Sequence, residues 1–173
     1  GFAPGFVRPT RADQFGKRGL RVPFGGTDSH MLNLDVTSVK GSDGTSLSGD
    51  QAARILELGT GSGAIACAIA HERAQSRVIA TDNSPAALAV AQGNWQALGL
   101  NNIESRLGDW YAAVPLEHFD IIVSNPPYIA RADRLTLAPE VREHEPEVAL
   151  FAPDGDADHF VRRLLSESRG LLA

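Results

Sequence analysis

The spacing of apolar residues changes near residue 54, and the change divides the chain. Arg54-Ile-Leu-Glu-Leu is a short apolar run of the kind that forms a strand buried on both faces. It runs into Gly59-Thr60-Gly61-Ser62-Gly63, after which small and apolar residues from Ala64 to about Arg73 predict a helix. A second run, Arg77 to Thr81, ends at Asp82. Ser84-Pro85 then offers an N-cap and a first-turn proline for a helix whose apolar stripe is Ala86, Leu88, Ala89, Val90, Trp95 and Leu98, closed by Gly99. Further strands are predicted near Ile103 to Leu107 and over Phe119 to Ser124, and a last helix around His159 to Arg169.

Residues 1–53 show little periodicity and are rich in Gly, Pro, Ser, Asp and Thr. Two short strands are expected there, Leu20 to Phe24 and Met31 to Val39, with a turn over Gly41 to Ser46 and a short helix over Gln51 to Arg54 opened by Ser48-Gly49-Asp50. Asp28 and His30 could form an acid–base pair, although a turn carboxylate beside a surface histidine is the commoner arrangement.

From residue 54 onward the repeated strand–helix–strand spacing implies an α/β fold with a parallel, doubly wound, Rossmann-like sheet. Such sheets bind ligands beyond the carboxyl ends of their strands. Four candidate elements follow strands: the Gly59–Gly63 loop, Asp82, Asp109 and Asn125. Glycines let the backbone approach a ligand, and the helix N-terminus behind them offers free N–H groups. Gly59-x-Gly61-x-x-Ala64 also satisfies a dinucleotide fingerprint, so the loop alone does not choose between cofactors. Asp82 stands where an acid binds ribose hydroxyls. Asp109 could accept from an adenine amine, with Trp110 packing on the ring or serving as a core aromatic.

Asn125-Pro126-Pro127-Tyr128 is where the chemistry is expected. The Asn125 side-chain oxygen and the Pro126 carbonyl could accept both hydrogens of an amide or exocyclic amine, holding a planar nitrogen near attack distance of an electrophilic methyl, while Tyr128 covers one face. Pro126 and Pro127 fix φ and supply no competing donor, so the corner is rigid before a substrate arrives. A dehydrogenase has no use for this tetrapeptide.

Composition narrows the field further. With 173 residues, 43% hydrophobic and 21% charged, the chain has the make-up of one globular domain. It has no apolar run long enough to span a bilayer and no basic-then-apolar leader, which leads to the expectation of a cytoplasmic protein. The net charge of −5 argues against direct nucleic-acid binding. Cys67 stands alone in an apolar stretch and reads as a small buried hydrophobe, and the histidines lack metal-ligand spacing, so no metal is expected. The chain starts at Gly1 and has its only methionine at Met31, which reads as a fragment.

The segments ILELGTGSGAIACAIA, VIATDNSPAALAVAQGNWQALGL, GDWYAAVPLEHFDIIVSNPPYI and PEVREHEPEVALFAPDGDADHFVRRLL together resemble the protein-(glutamine-N5) methyltransferases of peptide chain release factors, the HemK or PrmC family. The resemblance spans residues 54–173. It implies a class I fold dependent on S-adenosyl-L-methionine (SAM), truncated after the fourth strand and the helices that follow it. By the same resemblance Glu57, Gly59, Thr60, Gly61, Ser62, Gly63, Asp82, Asn83, Trp110 and Asn125 hold SAM, with Asp109 beside its adenine. Asn125, Pro126, Pro127 and Tyr128 would receive the glutamine of a Gly-Gly-Gln loop on the release factor, in a direct displacement from sulfonium to amide nitrogen. The family's N-terminal helical domain and its Pro-Arg-Pro-Glu-Thr-Glu segment have no counterpart beyond a faint echo at Arg8-Pro9-Thr10-Arg11. Without the family's later strands, Phe119 to Ser124 would be a free sheet edge, and dimerisation or aggregation through it is expected.

Residues 19–56 are similar instead to a C-terminal-domain segment of serine (glycine) hydroxymethyltransferases, notably at Gly25-Gly26-Thr27-Asp28-Ser29-His30. That family uses pyridoxal phosphate, yet neither Lys17 nor Lys40 has a Schiff-base context, so no catalytic residue transfers and a chimeric chain is implied. The alternatives are an adenine-type amino-methyltransferase acting on nucleic acid, a non-catalytic fragment, and a remnant of the pyridoxal-phosphate enzyme.

Overall fold

A computed structural model describes residues 52–137, 139, 142, 147–153, 156 and 158–172, and the backbone of four short strands before them. Those strands form two antiparallel pairs: β1 (Leu20–Phe24) with β2 (His30–Leu34), and β3 (Val39–Lys40) with β4 (Ser46–Leu47). Of the expected Met31 to Val39 strand, residues 31–34 belong to β2 and Val39 begins β3, while residues 35–38 lie outside the described residues. Asp28, and most of the Glu140 to Pro146 block, lie outside the described residues.

The main sheet consists of β5 (Arg54–Leu58), β6 (Arg77–Asp82), β7 (Ile103–Leu107) and β8 (Ile121–Ser124), all parallel, in the order β7-β6-β5-β8. Arg54 opens β5, so the helix expected over Gln51 to Arg54 does not reach it: the Arg54 N–H donates to Asp120 Oδ2 at 2.7 Å instead of entering a helical turn. Alternation along β5 sorts the core. Ile55 joins Val78 and Ala80 beneath α1 (Ala64–Glu72) and α2 (Pro85–Ala97), whereas Leu56 and Leu58 join Ile79, Tyr111, Val114 and Phe119 on the opposite face. Leu164 of the last helix packs against that second cluster and its carbonyl accepts from the Tyr111 hydroxyl, so the sheet carries helices on both faces.

Helix α1 is buried from Ile65 through Ala70, and the backbone of β1 lies beside it. A helix with no polar face needs neighbours on more than one side. The end of α1 meets a donor from outside the helix, at the Ala70 carbonyl of its last turn and at its C-cap Arg73. Asn102 Nδ2 lies 3.1, 3.3 and 3.0 Å from the carbonyl oxygens of Ala70, Arg73 and Ser76. In α2 the Ser84 hydroxyl accepts from the Ala87 N–H at 3.2 Å with Pro85 in the first turn, as the sequence predicts. The buried stripe is Leu88, Ala91 and Trp95; Ala86, Ala89 and Val90 face outward because they lie off the three- and four-residue spacing that meets the sheet, whereas Leu98 keeps that spacing but is the exposed C-cap residue just past the helix.

β8 ends the sheet. Among the described residues Phe119, just before it, is bridged on the far side to Leu172, with its N–H donating to the Leu171 carbonyl at 2.8 Å. After β8 come a 3₁₀ turn (Arg131–Thr136), a helical turn α3 (Glu147–Leu150) and α4 (His159–Glu167). No helix among the described residues is long and apolar enough to cross a membrane.

Candidate functional site

The register of the sheet aligns the predicted site. Leu58 pairs with Thr81 on one side and Ser124 on the other, so Gly59, Asp82 and Asn125 are the next residues along three adjacent strands. Two strand spacings, about 10 Å, separate the outer two. Asp82 pairs in turn with Leu107, and the 3₁₀ turn Trp110–Ala113 begins three residues beyond it.

The glycine loop is held from below and behind. Thr60 N–H donates to the Thr81 carbonyl at 2.8 Å, and Gly61 N–H donates to Asp82 Oδ2 at 2.9 Å. Asp82 Oδ1 accepts from Ser84 N–H at 2.9 Å, so one carboxylate ties the loop to the start of α2. About half of its acceptor capacity is left for a ligand. Asn94 Nδ2 donates to the Ser62 carbonyl at 2.8 Å. Gly63, at φ 79°, packs so closely on α2 that an added Cβ would lie 2.9 Å from the Ala91 Cβ. Gly59 and Gly61 also have positive φ, but an added Cβ there meets nothing within 4 Å, so this part of the loop borders open space.

Glu57 is fully buried beneath the loop. Its Oε2 accepts from the Thr60 hydroxyl at 2.6 Å, and its carboxylate takes the Ala66 backbone N–H in the first turn of α1, where the N-cap Gly63 has no side chain to offer. Burial dominates over these two bonds, and with the nearby Asp82 charge it pushes the Glu57 carboxyl from 4.5 up to about 8. Cys67, beside it on α1, is pushed up to about 12 by burial and by Glu57.

At the far side of the row Asp109 is largely exposed and its Oδ2 accepts from Arg163 of α4 at 2.9 Å. Trp110, at φ 50°, stacks on Phe160 with ring centroids 5.2 Å apart, and the Arg163 guanidinium lies 5.0 Å from the indole centroid. The indole that sequence reading offered to an adenine is thus engaged by two side chains of α4. Asn83 is exposed beside Asp82.

Asn125, Pro126 and Pro127 are half-buried and Tyr128 is exposed. The corner is anchored at both ends. Ser124 Oγ donates to the Leu58 carbonyl at 2.8 Å before it, and beyond it Ile129 N–H donates to the Leu150 carbonyl while its own carbonyl accepts from Ala152 N–H. Sequence reading missed Asn94, Asn102, Ser124 and Arg163. Asn94 alone leaves a local signal, a polar residue three positions after Ala91 on the buried side of α2.

A glycine loop between strand and helix, an acid ending the next strand, and a polar corner on the other neighbour define a doubly wound domain of the cofactor-binding kind, with these three features side by side at the carboxyl edge of its sheet. Residues 45–146 match the family model described as the methyltransferase small domain, and the chain belongs to that family. Its sheet and helices are those of the class I methyltransferase fold. Among curated proteins, the chain is 56% identical over 105 residues to the release factor glutamine methyltransferase of Cereibacter sphaeroides, covering 60% of this chain and 37% of that protein. The Escherichia coli K12 protein of the same name is 44% identical over 124 residues, covering 71% and 44%. The chain thus spans well under half the length of these relatives. Among solved structures, TrmN from Thermus thermophilus is 31% identical with a TM-score of 0.43, over 46% of this chain and 24% of that one.

Proposed function

We propose that the chain carries the catalytic core of a SAM-dependent N-methyltransferase acting on the glutamine side-chain amide of a peptide chain release factor. The observation that supports this most directly is the place of Asn125-Pro126-Pro127-Tyr128, one strand from the glycine loop and anchored on both sides, in a chain similar to release factor glutamine methyltransferases.

The residues present fit the cofactor. Open space borders Gly59 and Gly61, and the Asp82 carboxylate keeps free acceptor sites beside them. Glu57, Gly59 to Gly63, Asp82, Asn83, Asp109, Trp110 and Asn125 are the residues we assign to it. Bound there, SAM supplies an electrophilic methyl group on a cationic sulfur. The chain's own contribution is positional. Asn125 Oδ1 and the Pro126 carbonyl accept the two amide hydrogens, orienting the nitrogen lone pair that resonance otherwise ties up, and Tyr128 closes over the side chain. The two prolines hold the acceptors in place before substrate arrives, so little ordering remains at the moment of transfer.

The test is methyl transfer from labelled SAM to a release factor, with the modified residue located by mass spectrometry. Asn125→Ala is expected to reduce transfer at least about 100-fold while leaving the thermal midpoint within a few degrees. Undiminished transfer by Asn125→Ala, or methylation of DNA in place of the protein, would remove this reading.

A further inference from the structure

The corner Asn125-Pro126-Pro127-Tyr128 is fixed downstream by the segment that ends α3. Ile129 bonds to that segment in both directions: its N–H donates to the Leu150 carbonyl at 3.1 Å, and its carbonyl accepts from Ala152 N–H at 3.0 Å. Phe151 and Ala152 are buried, so this anchor is seated in the fold. At the other end of α3 the Glu147 side chain reaches the 3₁₀ turn that follows the corner. Its Oε2 accepts from Arg131 Nη1 at 3.1 Å and its Oε1 lies 3.3 Å from Arg134 Nη2, so both oxygens are engaged. The Arg131 guanidinium also lies 5.6 Å from the Phe151 ring centroid.

We propose that Glu147 is a positioning residue for methyl transfer: by holding Arg131 and Arg134 on one carboxylate it clamps the turn after Tyr128 to α3, and so keeps the Asn125 and Pro126 acceptors in place. This rests on the assignment of the corner to the substrate amide. Residues three apart on a 3₁₀ turn eclipse one another, so Arg131 and Arg134 carry like charges on one side of that turn. Among the described residues the ion pairs of both arginines go to Glu147. Removing its charge leaves two neighbouring guanidinium groups without that counterion, and the turn loosens from α3 beside the corner. All three side chains are about half exposed or more, so their ion pairs contribute little to global stability. The clamp acts on local geometry, to which transfer is sensitive at displacements on the order of 1 Å.

Glu147→Gln keeps the size of the side chain and loses its charge. In the whole chain it should lower kcat for transfer to a release factor about tenfold. The KM for that protein and the affinity for SAM should stay within about twofold of wild type, and the thermal midpoint within about two degrees. Hydrogen exchange, read without any substrate, should quicken at the Ile129 and Ala152 amides and stay as in wild type at Gly61, whose N–H is held by Asp82. Adding Arg131→Gln to Glu147→Gln should lower kcat little further, since both act through one contact. An unchanged kcat, unchanged exchange at Ile129 and Ala152, or a loss confined to KM, as expected of a residue that touches the release factor, would overturn the proposal and leave the reaction standing. Parallel falls in SAM affinity and thermal midpoint would overturn it too. A wild-type chain that transfers no methyl group to a release factor would overturn the proposed reaction and this role together.

Discussion

Glu57→Gln should flatten the pH dependence of stability. Between pH 4.5 and about 8 the folded chain keeps a proton on Glu57 that the unfolded chain has already released. Stability from this group is therefore complete below pH 4.5, falls as pH rises through that window, and stays low above pH 8. Each pH unit within it corresponds to about 1.4 kcal/mol, so wild-type folding loses roughly 3 kcal/mol from this group between pH 5 and 7.5. Glutamine has the same shape and no proton to lose. The groups with opposite behaviour act elsewhere on the scale: Arg106 and Arg77 hold Glu104 below the ordinary carboxylate range, and Arg106 and Arg54 do the same for Glu117, so their contributions persist above pH 4.5 and are lost on acidification. Cys67 and Tyr111 are pushed to about 12, above the window. Urea unfolding of both proteins at half-unit steps from pH 5 to 8 gives the comparison. The two curves should be closest at pH 5 and diverge in favour of Glu57→Gln by about 2 to 4 kcal/mol at pH 8. Parallel curves would mean that Glu57 is already ionised in the folded chain and would refute the burial argument.

Two further predictions concern the loop and its supports. Gly63→Ala forces a Cβ to within 2.9 Å of Ala91 at a positive φ, and should cost about 2 to 5 kcal/mol, whereas Gly59→Ala shares the φ penalty without the clash and should cost about 1 to 2 kcal/mol; equal unfolding midpoints would deny the close packing of loop on α2. Asn102→Ala strips the end of α1 of its outside donor and should cost about 1 to 3 kcal/mol, with hydrogen exchange accelerated first at the amides of the last turn of α1; unchanged exchange there would assign the helix end another support.

Local patterns made the frame legible. Short apolar runs, a glycine loop and Ser84-Pro85 each specify their element from within a few residues, and the parallel order follows from their alternation. The failures have a common origin in distance along the chain. Trp110 meets Phe160 and Arg163 some fifty residues away, so nothing near GDW announced that α4 would lie against its ring. Asp82 was legible as an acid after a strand, but its bonds to Gly61 and Ser84 depend on how the loop folds back over β6. Glu57 entered the site only through the family resemblance, its own strand reading simply as apolar; its second partner, Ala66, comes within reach only because α1 starts directly above β5. In α2 the apolar stripe was drawn too wide, since alanine is as much at home on an exposed helix face as on a buried one.

The central claim, that the ends of β5, β6 and β8 form one SAM site, is tested most directly by calorimetric titration of the chain with SAM, repeated with Asp82→Ala. The account predicts saturable binding of one SAM per chain, lost when the carboxylate that joins loop to helix is removed. A chain that is folded by circular dichroism yet gives no binding heat, or an Asp82→Ala variant that binds as the wild type does, would contradict it.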